Sequence, residues 1–405
     1  MDPASEEYAA RLDAADPLAA YRDRFVGSET PLVYFDGNSL GRPLRAMADR
    51  LTRFVHEEWG GRLIRGWDES WMELPLALGD RLGRVGLGAA PGQVFLGDST
   101  TVLLYKLARA AVGARPGRRE VVLDRDNFPT DRFVMEGIAE ECDLVLRWLE
   151  PDPDVGVTPE QVAEVAGPDT ALVLLSHVDY RSARIADAAS ITRIAQEAGA
   201  FVLWDLCHAA GVLPVELDAW GVDLAVGCTY KYLNGGPGSP AFGYVAERHQ
   251  AGLRQPVQGW MGAADVFAMA PTYEPASGPR RFLSGTPPIL GMLALQDTVE
   301  LLEEVGIAAV REKSVRLTEY AVSLADALLA EAGVRVATPG SAHVRGGHVT
   351  LCHPRMREVV GRLWDRDVVP DFREPDGLRI GLSPLSTSFD EVRRGLVAVR
   401  TALEE

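Results

Sequence analysis

What most constrains this chain is an alternation between residues 93 and 250. There, short apolar runs rich in Val, Leu, Ile and Phe take turns with amphipathic helical stretches. Seven segments read as strands: Gln93–Asp98, Val121–Asp126, Leu144–Glu150, Ala171–Val178, Phe201–Leu206, Leu224–Tyr230 and Phe242–Glu247. Several are apolar at every position rather than at every second one, the pattern of strands covered on both faces. Helical patterns such as 100–112 and 188–198 lie between them. This spacing predicts a doubly wound, mostly parallel α/β sheet, whose ligands gather at the carboxyl ends of the strands.

The rest of the 405 residues frames that sheet. Residues 1–60 read as an N-terminal helical segment broken by the turn-rich stretch 34–41, and 61–305 as the large α/β domain. A helical pattern from Ile289 through Glu304 runs on towards Ala330 and leads to a small α+β C-terminal domain, 306–405. In that domain 348–351, 368–373 and 378–382 read as strands. Acidic residues outnumber basic ones, 58 to 41, so general attraction to nucleic acid or anionic lipid is not expected. The acidic start has no basic, apolar signal pattern, and no apolar run approaches the ~20 residues of a membrane helix. Cys142, Cys207, Cys228 and Cys352 are scattered, without C-x-x-C pairing. A reduced cytoplasmic protein with no metal site is the expectation.

Two strand ends carry the chemistry. The run Phe201–Trp204 ends in Asp205, and His208 follows three residues on. The run from Leu224 ends in Tyr230 and Lys231 before the glycine-rich turn Gly235-Gly236-Pro237-Gly238. Taken singly, Asp205 reads as well as a helix cap, and Lys231 as a solvated lysine opening a loop. Together they match what pyridoxal phosphate (PLP) asks of a protein: a lysine to form a Schiff base, and a carboxylate to keep the pyridine nitrogen protonated. Ser99-Thr100-Thr101, where a strand passes into a helix, supplies hydroxyls and free N–H groups for a phosphate.

The motifs 34–41, Phe128-Pro129-Thr130-Asp131, 204–211, 230–238, Gly259-Trp260-Met261-Gly262 and Pro287-Pro288 resemble those of the kynureninases, within the fold type I PLP-dependent, transferase-like enzymes. The likeness runs from about Tyr34 to Ser388 and is nearest to the bacterial type. It implies Lys231 as the Schiff-base lysine, Asp205 as partner of the ring nitrogen and His208 beside the ring. Phe128 would stack on the ring, with Pro129, Thr130, Asp131 and Ser176 around it. Thr100, Thr101 and Tyr230 would hold the phosphate, and Tyr230 would exchange protons during catalysis. Arg379 would bind the substrate α-carboxylate, suited to it by a planar fork, with Asn38 and Ser39 nearby. Trp260 and Thr286 would reach the site of a partner subunit, implying a homodimer, and Trp67 and Thr286 would face the substrate aryl group. The implied reaction is hydrolysis of the Cβ–Cγ bond of L-kynurenine, or a ring-substituted kynurenine, to anthranilate and L-alanine, in tryptophan catabolism or a secondary-metabolite pathway.

The alternatives are a cysteine desulfurase-like lyase, an aminotransferase, or a non-catalytic PLP-binding protein of the same fold. The first needs a reactive cysteine on a mobile loop in the C-terminal third, and Cys352 is the one candidate.

Overall fold

The computed structural model describes residues 2–405. The expected strands form one seven-stranded sheet: β1 (Val94–Gly97), β2 (Glu120–Asp124), β3 (Val145–Leu149), β4 (Thr170–Ser176), β5 (Phe201–Asp205), β6 (Leu224–Gly227) and β7 (Ala241–Val245). Their order across the sheet is β1-β7-β6-β5-β4-β2-β3. All neighbours are parallel except β7, which runs antiparallel to both β1 and β6. The central strands β5 and β6 are buried at every residue, as their unbroken apolar sequences require. Helices cover both faces and form two apolar layers, one with Leu82, Val173, Trp204 and Met292, the other with Leu103, Leu107, Leu172 and Phe282.

A second, four-stranded antiparallel sheet is built from β8 (Arg335–Val336), β9 (His348–Cys352), β10 (Asp371–Arg373) and β11 (Gly377–Gly381), in the order β10-β11-β9-β8. Its core takes in Leu317, Leu324, Val359, Ile380 and Val392, together with Ala9, Val33 and Phe35 from the far end of the chain. Leu18, Phe25 and Leu44 join the large core instead, so the first 60 residues serve both units.

Three sequence expectations need correction. The helical pattern beginning at Ile289 is two helices, Ile289–Val305 and Ile307–Leu329. Gly306 divides them at φ 81°, a conformation that suits a residue without Cβ. The stretch 368–373 is two strands: Val368–Val369 pairs in parallel with Val33–Tyr34, and β10 pairs with β11. Pro370 lies at the changeover, where its missing N–H breaks no ladder. Strand β6 ends at Gly227 rather than Tyr230, so Lys231 stands in the loop beyond it.

Candidate active site

Asp205 is the last residue of β5, level with Ser176 at the end of β4 and with Val226 on β6. The three parallel strands thus deliver their C-terminal ends to one edge. Beyond β6 the chain reverses tightly: Asn234 N–H donates to the Lys231 carbonyl at 2.9 Å and Gly235 N–H to the Thr229 carbonyl at 2.8 Å. Gly236 follows at φ 78°. Lys231, 9% exposed, thereby joins Asp205 in the lining of one cavity. Its Nζ lies 3.0 Å from His208 Nε2, and 5.8 Å and 6.0 Å from the ring centres of Phe128 and Tyr230.

A cavity of about 70 Å³ opens among these groups, walled also by Thr100, Thr101, Thr130, Asp131 and Ser176. Thr100 opens the helix Thr100–Gly113, whose cap Ser99 accepts from Val102 N–H. The first N–H groups of that helix have no intrahelical acceptor, so the helix end favours an anion. Pro129 starts the helix Pro129–Cys142, a position where its fixed φ fits and its absent N–H is not missed. It does not line the cavity; it sets the turn that presents Phe128, Thr130 and Asp131. Asp205 Oδ1 accepts from Cys207 N–H at 2.7 Å, while its second oxygen has no partner among the described residues.

The electrostatics suit a bound cationic ring. Burial, with the neighbouring Asp205 adding to it, pushes the Asp131 carboxyl well up. Burial holds His208 well below the ordinary imidazole value, and the charge of Lys231 adds to this, so the ring is neutral beside the lysine. Burial also raises the Tyr230 phenol, which keeps its proton and acts as a donor. One carboxylate with a free oxygen, one lysine, an aromatic plate and a helix N-terminus are the donor set PLP needs, and they fit it.

Sequence reasoning missed two members of the site. Asn127, 3% exposed, joins Ser176 Oγ (2.7 Å) to Asp131 Oδ2 (2.9 Å). Tyr180 lines the cavity and meets Phe128 edge to face, centroids 5.4 Å apart. Asn127 precedes the Phe128 motif and could have been read as its anchor; Tyr180 gave no signal, since it lies in a loop after β4.

Arg379 arrives from the other sheet. Buried at 1% exposure, it donates to the Tyr180 carbonyl and to Ser39 Oγ, both at 2.8 Å. Asn38 is fully buried and packs on Gly381. Arg379, Ser39 and Asn38 do not line the cavity themselves; Arg379 meets it through Tyr180, which does. Trp67, Trp260 and Thr286 are not brought to the cavity of their own chain either. Trp260 is 44% exposed and Thr286 is exposed, while Trp67 stands edge-on to Trp71 at 5.5 Å. Trp67 packs on the cluster of Phe54, Trp71, Ile289 and Leu293, of which Ile289 is three residues along the chain from Thr286.

Gly41 has a steric task here. Its N–H donates to the Tyr230 carbonyl at 2.8 Å, and a Cβ on it would run into the Lys231 carbonyl and Asn234. Gly41→Ala is expected to displace the lysine loop, costing roughly 1–3 kcal/mol of stability as overpacking does. The holoenzyme should melt several degrees lower and release cofactor faster, read by thermal unfolding and by cofactor absorbance after gel filtration. An unchanged melt would show that the loop yields freely.

The fold and this site define a PLP-dependent enzyme of fold type I. Residues 310–399 match the family described as Kynureninase C-terminal domain. A kynureninase of Burkholderia pseudomallei is 40% identical over 407 residues, spanning 99% of this chain and 96% of the relative. One of Deinococcus radiodurans is 40% identical over 403 residues, spanning 97% and 95%. The chain belongs to the kynureninase family. Solved structures share the fold at much lower identity. They include a C-DES mutant with glycine covalently linked to its PLP cofactor (TM-score 0.82, 19% identity, 94% of this chain and 98% of that one). A cysteine desulfurase of Thermococcus onnurineus matches with TM-score 0.81 at 18% identity, over 95% and 98%.

Proposed function

We propose that this chain hydrolyses the Cβ–Cγ bond of L-kynurenine to give anthranilate and L-alanine, with PLP as its cofactor. The observation that carries this reading is the meeting of Lys231 and Asp205 in one cavity beside the N-terminus of the helix Thr100–Gly113. Bound at Lys231, PLP supplies an electron sink for negative charge at the substrate α-carbon. The residues around it do the rest. Asp205, through its free oxygen, would hold a proton at the ring nitrogen; Thr100 and Thr101 would bind the phosphate, and Phe128 would stack on the ring. The Lys231 amine would take the α-proton, with neutral His208, 3.0 Å from its Nζ, holding it in place. Tyr230, kept protonated, gives and recovers a proton as water adds to the γ-carbonyl and the carbon–carbon bond parts. Arg379 anchors the α-carboxylate.

Incubating the purified, PLP-loaded protein with kynurenine should yield anthranilate fluorescence and alanine in equal amounts. Alanine without anthranilate, or neither, would overturn the assignment.

The desulfurase alternative is disfavoured by Cys352. It sits at the end of β9, paired with Gly377, rather than on a loop. Burial, with Asp376 adding to it, raises its thiol, and so depletes the thiolate a nucleophile needs.

Assembly as a homodimer is supported by what the single chain leaves uncovered. Trp59, Leu63 and Ile64 are exposed, as are Trp260, Phe267 and Met269. Two stretches of large apolar side chains left exposed fit surface that another molecule covers. A second copy there would bring Trp260 and Thr286 to its partner's site. All four cysteines are free, in keeping with a cytoplasmic setting, and no helix among the described residues is long and apolar enough to cross a membrane.

On the reading that Trp67 and Thr286 face the aryl group in the dimer, the pocket offers a ring hydroxyl an indole and one small hydroxyl. Such a pocket discriminates moderately, so kcat/KM should favour kynurenine over 3-hydroxykynurenine by roughly 10–100-fold. A preference for the hydroxylated substrate would show that these two residues do not form the aryl pocket.

A further inference from the structure

Arg379 does not stand alone. Strands β10 and β11 set Asp371 directly opposite it. Asp371 Oδ2 accepts from Arg379 Nη2 at 2.6 Å and is ion-paired with Arg373 Nη2 at 2.7 Å, so a single carboxylate oxygen lies between two guanidiniums. The other contacts of Arg379 are neutral oxygens, Ser39 Oγ and the Tyr180 carbonyl. Its Nε is buried and has no partner among the described residues. The Arg379 side chain is 1% exposed, against 18% for Asp371 and 32% for Arg373.

A guanidinium has five N–H groups in one plane, and it recognises a carboxylate only when that plane is correctly turned. Ser39 and Tyr180 both lie in loops, so they fix the fork weakly. Asp371 acts from a paired strand, through a short charge-assisted bond. The second arginine spreads the negative charge of Asp371, leaving one net positive charge across the three side chains. That matches the single α-carboxylate. The remaining carboxyl close by, Asp36, is pushed up by its burial and opposes this charge less than an ordinary aspartate.

We propose that Asp371 is a positioning residue for the substrate α-carboxylate: it holds Arg379 in the plane that binds the carboxylate, and Arg373 offsets its charge. The proposal rests on Arg379 being the carboxylate anchor. Its consequence runs against simple electrostatics. Removing a negative charge from an anion-binding site weakens the binding of the anion.

The test uses the PLP-loaded variants Asp371→Asn, Asp371→Glu, Arg379→Gln and the double variant Asp371→Asn/Arg379→Gln. Kynurenine is the substrate, and its decarboxylated analogue kynuramine serves as competitive inhibitor. Asp371→Asn should raise KM for kynurenine roughly 10-fold, since it breaks one member of a hydrogen-bonded charge pair. It should leave kcat within about threefold and kynuramine inhibition unchanged, because an interaction equal in ground and transition states appears in KM. Asp371→Glu should recover part of the loss. The double variant should be no worse than Arg379→Gln alone, as expected of two residues acting through one interaction. A lower KM in Asp371→Asn would show that Asp371 competes with substrate for Arg379, and would overturn the proposal. Additive losses in the double variant, or an equal loss of kynuramine binding, would do the same. An unchanged KM in Arg379→Gln would instead remove the carboxylate assignment beneath it.

Discussion

Lys231→Ala is expected to abolish turnover while leaving the fold intact. On the proposed mechanism the lysine amine is both the covalent attachment point and the base at the α-carbon, so two contributions vanish together. General-base catalysis alone is worth ~10²–10⁴-fold, and loss of the covalent route adds to it. The loop around the lysine is held by backbone bonds, Asn234 N–H to the Lys231 carbonyl and Gly41 N–H to the Tyr230 carbonyl, which a side-chain truncation does not touch. Thermal unfolding should therefore shift little. Borohydride followed by mass spectrometry should show a cofactor adduct at residue 231 in the parent and none in the variant. Turnover within tenfold of the parent would sink the assignment of the lysine.

Asp205→Asn should come next in severity. The amide oxygen can still accept from Cys207 N–H, so the end of β5 should keep its shape. What is lost is the negative charge that the proposed mechanism sets against the ring nitrogen. A neutral amide no longer favours the protonated ring, and the sink for charge at the α-carbon weakens. The loss should fall on kcat by ~10²-fold or more, with KM for kynurenine within a few fold, because the interaction matters most in the transition state. Exchange of the substrate α-proton with deuterated solvent, followed by NMR, isolates that step. Normal exchange in the variant would refute the role of Asp205.

Much of this site was legible because strand ends advertise themselves. Asp205 ends an unbroken apolar run and Lys231 follows one four residues on, and parallel topology obliges such strand ends to gather at one edge. Arg379 could be named by family resemblance, but not placed. Nothing in residues 377–381 alone says that Arg379 sits opposite Asp371, because the register of this hairpin is set by the geometry of its turn. Tyr180 was invisible for a related reason: a loop residue shows no periodicity. The break at Gly306 was the opposite case, present in the sequence as a lone glycine in a helical pattern yet readable either as tolerated or as a stop. Trp67, Trp260 and Thr286 mark a further boundary, since one chain alone does not bring them to its own cavity.

The short run from Phe35 to Gly41 has a mechanical meaning. At one end Phe35 is laced to the second sheet: its N–H donates to the Val369 carbonyl, and its carbonyl accepts from Gly381 N–H, two residues past Arg379. At the other end Gly41 is bonded to Tyr230, one residue before Lys231. Six residue steps span at most about 20 Å when fully extended, and the tight turn at 36–40 takes up most of that reach. The second sheet with Arg379 and the loop that carries Lys231 are thus on a short leash, and neither can draw far from the other without stretching this peptide. Under the proposed roles, the carboxylate anchor and the base at the α-carbon are geared to one another through the backbone.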